Sequence, residues 1–322
     1  MADDNDMAID SPPRSQGKAT GLEDILPPKK RIPRWVTALL KNPVSILGTI
    51  LVILFALVAI FAPLIAPPPI PSEPYQIPRD GFTAEPKPPT PAAPFGTTQG
   101  QYDIFYGVVW GTRTAFKIGL IVTSLTFLIG GLVGSVSAYL GGWADEAIQR
   151  IVEIFLAFPF LLAALTLTTI LGAKIQNGLI TGMIALVAFG WPGYARLIRG
   201  DVLAVKDLDY VTAARSIGAR GGRILFRHII PNSFYSLLVV ASLDIGTNVL
   251  TFAALSFLGL GAGEGYADWG QLLSYARNWI PSLDTHWWIV VFPGIALLLF
   301  VLAFNLIGDA FRDALDPRMM RR

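Results

Sequence analysis

Six long apolar runs constrain this chain more than any other feature of its sequence. Each offers about 20 residues or more, the length that a helix needs to cross about 30 Å of hydrocarbon. Lipid cannot satisfy free backbone amides and carbonyls, so the runs must be helical. Because the runs are continuous rather than alternating, a β-barrel is disfavoured. The sequence predicts an all-α polytopic membrane protein with six transmembrane helices, at about 44–66, 118–141, 154–172, 175–194, 234–258 and 287–307.

The composition agrees with a membrane protein. Of 322 residues, 53% are hydrophobic and 15% are charged, whereas soluble domains carry about 25% charged residues. The net charge of +2 is too small to predict nucleic-acid binding. The chain has no cysteine, which excludes disulfides, thiolate ligands and a cysteine nucleophile. No cleavable signal peptide is expected, and residues 1–33 are predicted to form a disordered or amphipathic cytoplasmic tail.

Basic residues predict the orientation of the spans. Clusters of lysine and arginine beside a span stay in the cytoplasm. Six crossings would place the C-terminus, with its basic tail 319–322, on the same side as the N-terminus. We therefore expect both termini in the cytoplasm. The cluster that precedes the first run consists of Lys29, Lys30, Arg31, Arg34 and Lys41.

The connection 67–117 follows a first transmembrane unit at 34–66 and is predicted to be extracytoplasmic. Its first half is rich in proline, which cannot donate to a sheet ladder or continue a helix. That half is predicted to be a semi-rigid extended spacer. The second half predicts a short amphipathic helix at the outer membrane interface, with Tyr102, Tyr106 and Trp110 as anchors.

The segment 209–232, between the fourth and fifth runs, is basic and yet carries an apolar pattern. A first helix is predicted to end at Gly218, because glycine tolerates the left-handed backbone that follows many helices. A second helix, at about 222–230, is predicted to stop at Pro231. The first helix would present one apolar face made of Tyr210, Ala213, Ala214 and Ile217, which recur at helical spacing.

This segment resembles the signature loop of the inner-membrane permease subunits of ATP-binding-cassette importers. That loop has Glu-Ala-Ala, then a glycine, then an apolar residue followed by proline. The matching positions are Thr212-Ala213-Ala214, Gly218 and Ile230-Pro231, with Thr212 in place of the glutamate. The resemblance implies a coupling loop at 196–232 whose helix fits a groove of an ATPase subunit. Tyr210, Arg215 and Arg223 are the further residues expected at that contact.

Other segments resemble the dipeptide, oligopeptide and nickel branch of that family. The run 254–261 reads ALSFLGLG, and the stretch 308–318 matches over its whole length. One departure is Gln101-Tyr102-Asp103, which stands where Gly-Arg-Asp is usual. The matches extend from about Arg34 to Arg318, and the chain is similar to the second, C-type permease of a pair.

The resemblance implies a type I importer fold with a permease core at 118–318, in a prokaryotic cytoplasmic membrane. It implies four kinds of contact: a second homologous permease subunit, two ATP-binding subunits, a substrate-binding protein outside, and the membrane. The chain lacks the phosphate-binding motif G-x-x-x-x-G-K-[ST]. ATP and Mg²⁺ are therefore expected on the partner ATPases, with no cofactor on this chain. Short peptides are the first substrate class, and oligosaccharides or nickel stay open.

Two polar residues in the fifth run are candidate pathway-lining residues, Asp244 and Asn248. An intramembrane carboxylate is costly and faces a cavity or a partner. Asp244 either lines the path, where it would meet a cationic substrate, or it makes a structural hydrogen bond to Asn248 or a neighbouring helix. Gly130 and Gly134 form a GxxxG pair, which we interpret as packing within the bundle.

Two other classes of protein fit the sequence less well than the importer subunit. A stand-alone channel or secondary transporter would have several intramembrane charges and no docking loop. A membrane enzyme would need a nucleophile, metal ligands or an acid–base pair at membrane depth. The only histidines, His228 and His286, lie far apart on opposite predicted sides. No metal site and no catalytic group are predicted.

Overall fold

Helices make up nearly all of the regular structure. The computed structural model describes residues 42–315, and this part contains isolated β-bridges but no strand. Besides the α-helices, the described part contains a π-turn at Leu225–Ile229 and a 3-10 helix at Arg277–Ser282. The α-helices are α1 Pro43–Ile65, α2 Ile104–Leu140, α3 Gly142–Leu156, α4 Phe160–Gly172, α5 Gly178–Val205, α6 Asp209–Ser216, α7 Gly221–Ile224, α8 Ile230–Phe257, α9 Trp269–Tyr275, α10 Leu283–His286 and α11 Trp288–Leu315.

Five helices in the described part are long and apolar enough to cross a membrane, and a bent pair makes a sixth crossing if it is counted as one. This confirms the all-α fold with up to six spans. The third predicted span differs from the expectation, because α3 and α4 meet at 87°. The break lies at Pro159, and the residue before a proline is biased away from helix. The predicted tails 1–33 and 319–322 lie outside the described residues.

The helix α2 is longer than predicted. It runs unbroken over 37 residues from Ile104, where the Asp103 carboxylate accepts hydrogen bonds from the amides of Phe105 (2.8 Å) and Tyr106 (3.2 Å). The expected separate interfacial helix is therefore the first part of this span. The helix is continuous because an aspartate caps its start and neither proline nor a positive-φ glycine interrupts it.

The expected interface anchors are buried instead. Tyr102, Tyr106 and Trp110 are exposed by no more than 4%. The Tyr106 hydroxyl donates to the Pro74 carbonyl at 2.7 Å, and the Trp110 indole donates to the Ala66 carbonyl at 2.9 Å. The anchoring prediction was wrong, because these polar tips find backbone partners inside the protein.

Two long connections, residues 66–103 and 258–287, lie at the end of the bundle where α2 begins and pack on each other. We call them the loop cap. The buried Ile77 donates its amide to the Gly265 carbonyl at 2.8 Å. The proline-rich half is thus held by a segment distant in the chain, and the spacer prediction was wrong. Proline removes a donor from its own position only, so intervening residues such as Ile77 can still pair.

The closest contact between spans joins α2 to α5. A methyl group added at Gly130 would overlap the Trp191 carbonyl oxygen, and one at Gly134 would overlap the Ala195 carbonyl oxygen. The two backbones therefore touch where the side chain is a single hydrogen. This agrees with the interpretation of the glycine pair as packing within the bundle.

A half-buried arginine joins α1 to α2. Pro63 lies inside α1 and has no amide hydrogen, so the Ala59 carbonyl lacks its usual partner four residues later. The Arg113 side chain of α2 donates to that carbonyl at 2.5 Å, and its guanidinium lies 5.0 Å from the centre of the Trp110 ring. The proline in one span is thus compensated by a charge in the next.

We expect Gly134→Ala to destabilise the bundle. The added methyl group meets backbone atoms of Ala195, which cannot move as a side chain can. Overpacking of this kind costs about 1–3 kcal/mol. The thermal unfolding midpoint of the purified protein should fall. The matched control is Gly193→Ala in α5, where an added methyl group meets nothing within 4 Å. Equal midpoints for the two variants would contradict the proposed α2–α5 contact.

Candidate functional site

The short helix α6 lies against the bundle through two side chains. Val211 is 0% exposed and Ala214 is 7% exposed. Val211 belongs to an apolar cluster with residues of α5 and of the π-turn, such as Ile198, Val202 and Ile229. The position of α6 is therefore fixed by apolar contact with two long helices.

The adjacent side of α6 is apolar and uncovered. Tyr210 is 41% exposed and Ile217 is 86% exposed, and Ala213 lies between them. We call these three residues the α6 face. The predicted face also included Ala214, which is wrong, because Ala214 points with Val211 into the bundle. The predicted face was chosen from the spacing of apolar residues and did not include Val211. The burial of Val211 shows which side of α6 packs on the bundle.

The end of α6 follows the prediction. Gly218 has φ of +81°, its amide donates to the Arg215 carbonyl at 3.0 Å, and the Ala219 amide donates to the Ala214 carbonyl at 3.1 Å. This pair of hydrogen bonds is the Schellman motif, which favours glycine at its left-handed position. It turns the chain sharply at the edge of the α6 face.

Pro231 does not end a helix, contrary to the prediction. The chain from Gly221 to Phe257 is one continuous helix of 37 residues. The Ile230 amide donates to the Leu225 carbonyl, five residues earlier rather than four. This wider π-turn accommodates a proline, which needs room beside the preceding turn and has no amide to donate.

Polar and basic side chains surround the α6 face. Thr212, Arg215 and Arg223 are exposed, and neither arginine makes an ion pair within residues 42–315. Ile230 is half-buried and Pro231 is exposed. The predicted loop residues thus lie at one end of the bundle, with Ala214 turned inward.

A bidentate ion pair between α5 and α3 was not predicted from the sequence. Arg199 of α5 donates to Asp145 of α3, with Nη2–Oδ2 at 2.6 Å and Nε–Oδ1 at 2.9 Å. The Ser137 hydroxyl of α2 also donates to Asp145. These contacts hold three helices together. The sequence offers no signal for this pairing, since 54 residues separate the two charges.

The two candidate pathway residues do not bond to each other within the described residues. Asn248 donates from its amide to the Thr123 hydroxyl of α2 at 2.9 Å. Asp244 lies at the middle of α8 and faces the Tyr194 side chain of α5. The alternative in which Asn248 holds Asp244 is therefore not what the structure shows.

Two family models together match most of the chain. Residues 127–321 match the binding-protein-dependent transport system inner membrane component. Residues 34–88 match the N-terminal transmembrane domain of oligopeptide transport permease C. The first match covers the helices from within α2 to α11 and includes the α6 face.

Curated proteins of similar sequence extend over most of the chain. The dipeptide transport system permease protein DppC of Alkalihalophilus pseudofirmus is 39% identical over 285 residues, 87% of each chain. The oligopeptide transport system permease protein OppC of Bacillus subtilis is 36% identical over 296 residues, 91% of this chain and 92% of that one. The glutathione transport system permease protein GsiD of Pectobacterium atrosepticum is 42% identical over 217 residues, 67% of this chain and 70% of that one.

A solved structure shares the fold. The inward-facing MetNI methionine ABC transporter superposes with a TM-score of 0.54 at 18% identity, covering 66% of this chain and 98% of that one. The family models and the curated relatives confirm the family that the sequence resembled. The chain belongs to the inner-membrane components of binding-protein-dependent transport systems, in the branch of the dipeptide and oligopeptide C-type permeases.

Proposed function

We propose that this chain is the permease subunit of an ATP-driven importer of short peptides and forms half of the translocation pathway. The observation that carries the proposal is similarity over almost the full chain to subunits that transport dipeptides and oligopeptides. The candidate spans supply the membrane part of such a pathway. The chain itself performs no chemical step in this proposal.

The α6 face is the proposed contact with an ATPase subunit. An exposed isoleucine such as Ile217, 86% exposed in this chain, gains about 1.5–3 kcal/mol when a partner covers it. Arg215 and Arg223 flank the face and would favour a partner with an acidic rim. Nucleotide and Mg²⁺ would bind on two such ATPase partners, and the face would lie in the cytoplasm with both termini.

The packing of α6 supports a way to couple its partner to the pathway. Val211 attaches α6 to α5 and to the base of the long helix Gly221–Phe257. A displacement of α6 by a closing ATPase would therefore move two spans together. Rocking of these spans would expose the pathway to one side of the membrane at a time, by the rigid-body route known for transporters.

The loop cap is the proposed extracytoplasmic contact with a substrate-binding protein. Its two connections are hydrogen-bonded to each other, so they form one packed surface rather than a semi-rigid spacer. A second homologous permease subunit would complete the pathway. A stand-alone channel would leave the uncovered α6 face without a role.

The substrate class is tested by uptake into vesicles that contain the reconstituted importer and its binding protein. We expect ATP-dependent accumulation of labelled dipeptides and tripeptides. Oligosaccharides and nickel, which related importers carry, serve as comparison substrates in the same assay. Accumulation of one of these without any peptide uptake would overturn the peptide assignment.

The α6 face is tested by comparing two variants that each introduce one glutamate, at different positions around the helix. Ile217→Glu should weaken ATPase binding about 10-fold to 100-fold, because a buried apolar contact becomes a buried charge. Thr212→Glu adds the same charge on the same helix and restores the residue usual in the family, so binding should be kept. Co-purification of the ATPase subunits with each variant measures the effect. Equal retention by both variants would exclude this face as the contact.

Steric blocking offers a second test of the same contact. Ala213→Trp places a large side chain at the centre of the α6 face, where Ala213 is exposed and the fold is not disturbed. We expect ATP hydrolysis to continue while peptide uptake is lost. The ratio of peptide transported to ATP hydrolysed measures this uncoupling, and an unchanged ratio would contradict the placement.

A further inference from the structure

A polar row runs along one side of α8 at membrane depth. Asp244, Thr247, Asn248 and Thr251 recur at helical spacing and therefore share a face. Thr247 is exposed and the other three are half-buried. Asp244 lies 14 residues after Ile230 and 13 before Phe257, at the centre of the span. We call these four residues the α8 row.

The α8 row offers hydrogen-bond acceptors and few donors. The Thr251 hydroxyl donates to the Thr247 carbonyl at 2.8 Å, and the Thr247 hydroxyl donates to the Leu243 carbonyl at 3.4 Å. The Asn248 side-chain amide donates a hydrogen bond to the Thr123 hydroxyl, and the amide oxygen of Asn248 can still accept one. The Asp244 carboxylate accepts only, when ionised. Such a row matches a ligand that is cationic and donates several hydrogen bonds.

An unpaired hydroxyl points at the same place from α5. Tyr194 is 4% exposed, and its hydroxyl has no hydrogen-bond partner within the described residues. It faces the Asp244 carboxylate and the Thr126 hydroxyl. A buried hydroxyl gains from a hydrogen bond, and this one is placed to contact both Asp244 and a ligand or water that binds there.

The other open side of α8 has the opposite character. There, α2, α8 and Phe311 enclose a groove of about 680 Å³ with an almost wholly apolar lining, including Leu120, Leu238 and Ile245, and Thr123, the partner of Asn248, lies at its border with the row. That groove suits lipid chains or an apolar helix. A carboxylate on a lipid-facing side would carry a heavy penalty, so the two sides indicate two environments, one apolar and one aqueous.

We propose that the α8 row lines the aqueous pathway and binds the ammonium group at the amino terminus of the passing peptide, with Asp244 as its counter-charge. This rests on the proposed function, because it assigns the peptide's charged end to one wall of that pathway. Asp244 and the acceptors of Thr247, Asn248 and Thr251 would replace the water that hydrates the ammonium group. The row acts as a selectivity element for cationic groups.

The native chain provides a clean background for a test, since it has no cysteine. The importer assembled with Thr247→Cys is treated separately with two methanethiosulfonate reagents of similar size. One reagent carries an ammonium group and the other a sulfonate group. Each rate is divided by the rate of that reagent with a small thiol in solution. Mass analysis of this subunit reports the labelling.

The expected result is a preference for the cationic reagent of about tenfold or more, because Asp244 lies one turn away on the same face. Asp244→Asn should reduce the preference to about one, and Asp244→Glu should keep it. Leu250→Cys is the matched control. It lies on the same helix and is 48% exposed, but it is outside the row and should not react with either charged reagent.

Two outcomes would overturn the proposal. Thr247→Cys that stays unreactive in the assembled importer would show that the row is covered, and equal rates for the two reagents would remove the role of Asp244. A parallel peptide-uptake measurement on the unmodified importer separates the hypotheses. Normal peptide uptake with an unreactive Thr247→Cys would leave the proposed function intact and dismiss this site alone. In Asp244→Asn we expect uptake at saturating loaded binding protein to fall about tenfold.

Discussion

The contact of α2 with α5 at Gly130 and Gly134 is the one on which the rest of the structure depends. Between apolar helices in lipid there is little hydrophobic driving force, so close backbone packing must hold the spans together. This contact brings the C-terminal halves of the two helices side by side. Ser137 of α2 and Arg199 of α5 can then reach the same carboxylate, that of Asp145.

The same contact determines where the functional surfaces lie. With α2 and α5 in register, Ile198 and Val202 form part of the apolar site that holds α6. Tyr194, a turn earlier on α5, comes to lie beside Asp244 of α8. The α6 face and the α8 row thus both lie against α5, one beside Ile198 and Val202 and the other beside Tyr194.

Hydropathy and local chemistry made much of this fold predictable. The positions of most spans follow from the length of each apolar run, and the end of α6 follows from the left-handed backbone that Gly218 adopts. These features depend on a residue and its near neighbours. The resemblance located α6 correctly, whereas its orientation required knowing that Val211, outside the chosen pattern, is buried.

The remaining features depend on contacts that no local pattern reveals. The proline-rich connection is ordered by Gly265, almost 200 residues away in sequence, and Tyr106 and Trp110 are buried because the loop cap covers them. Asp145 has many basic residues as potential partners until the α2–α5 contact selects Arg199. Local sequence patterns therefore predict the helices of the candidate site, whereas contacts between distant residues fix the relative positions of those helices.

The π-turn at Leu225–Ile229 has a consequence for how the length of this chain can change during evolution. A π-turn holds one more residue than an α-helical turn, so a single deletion there would convert it to regular helix without rotating the rest of the span. The same deletion in the middle of α8 would rotate every later side chain by about 100° and turn Asn248 and Thr251 away from Asp244. A shortened turn would, however, press the Pro231 ring against the preceding carbonyl. Relatives that lose the extra residue should therefore have lost this proline as well.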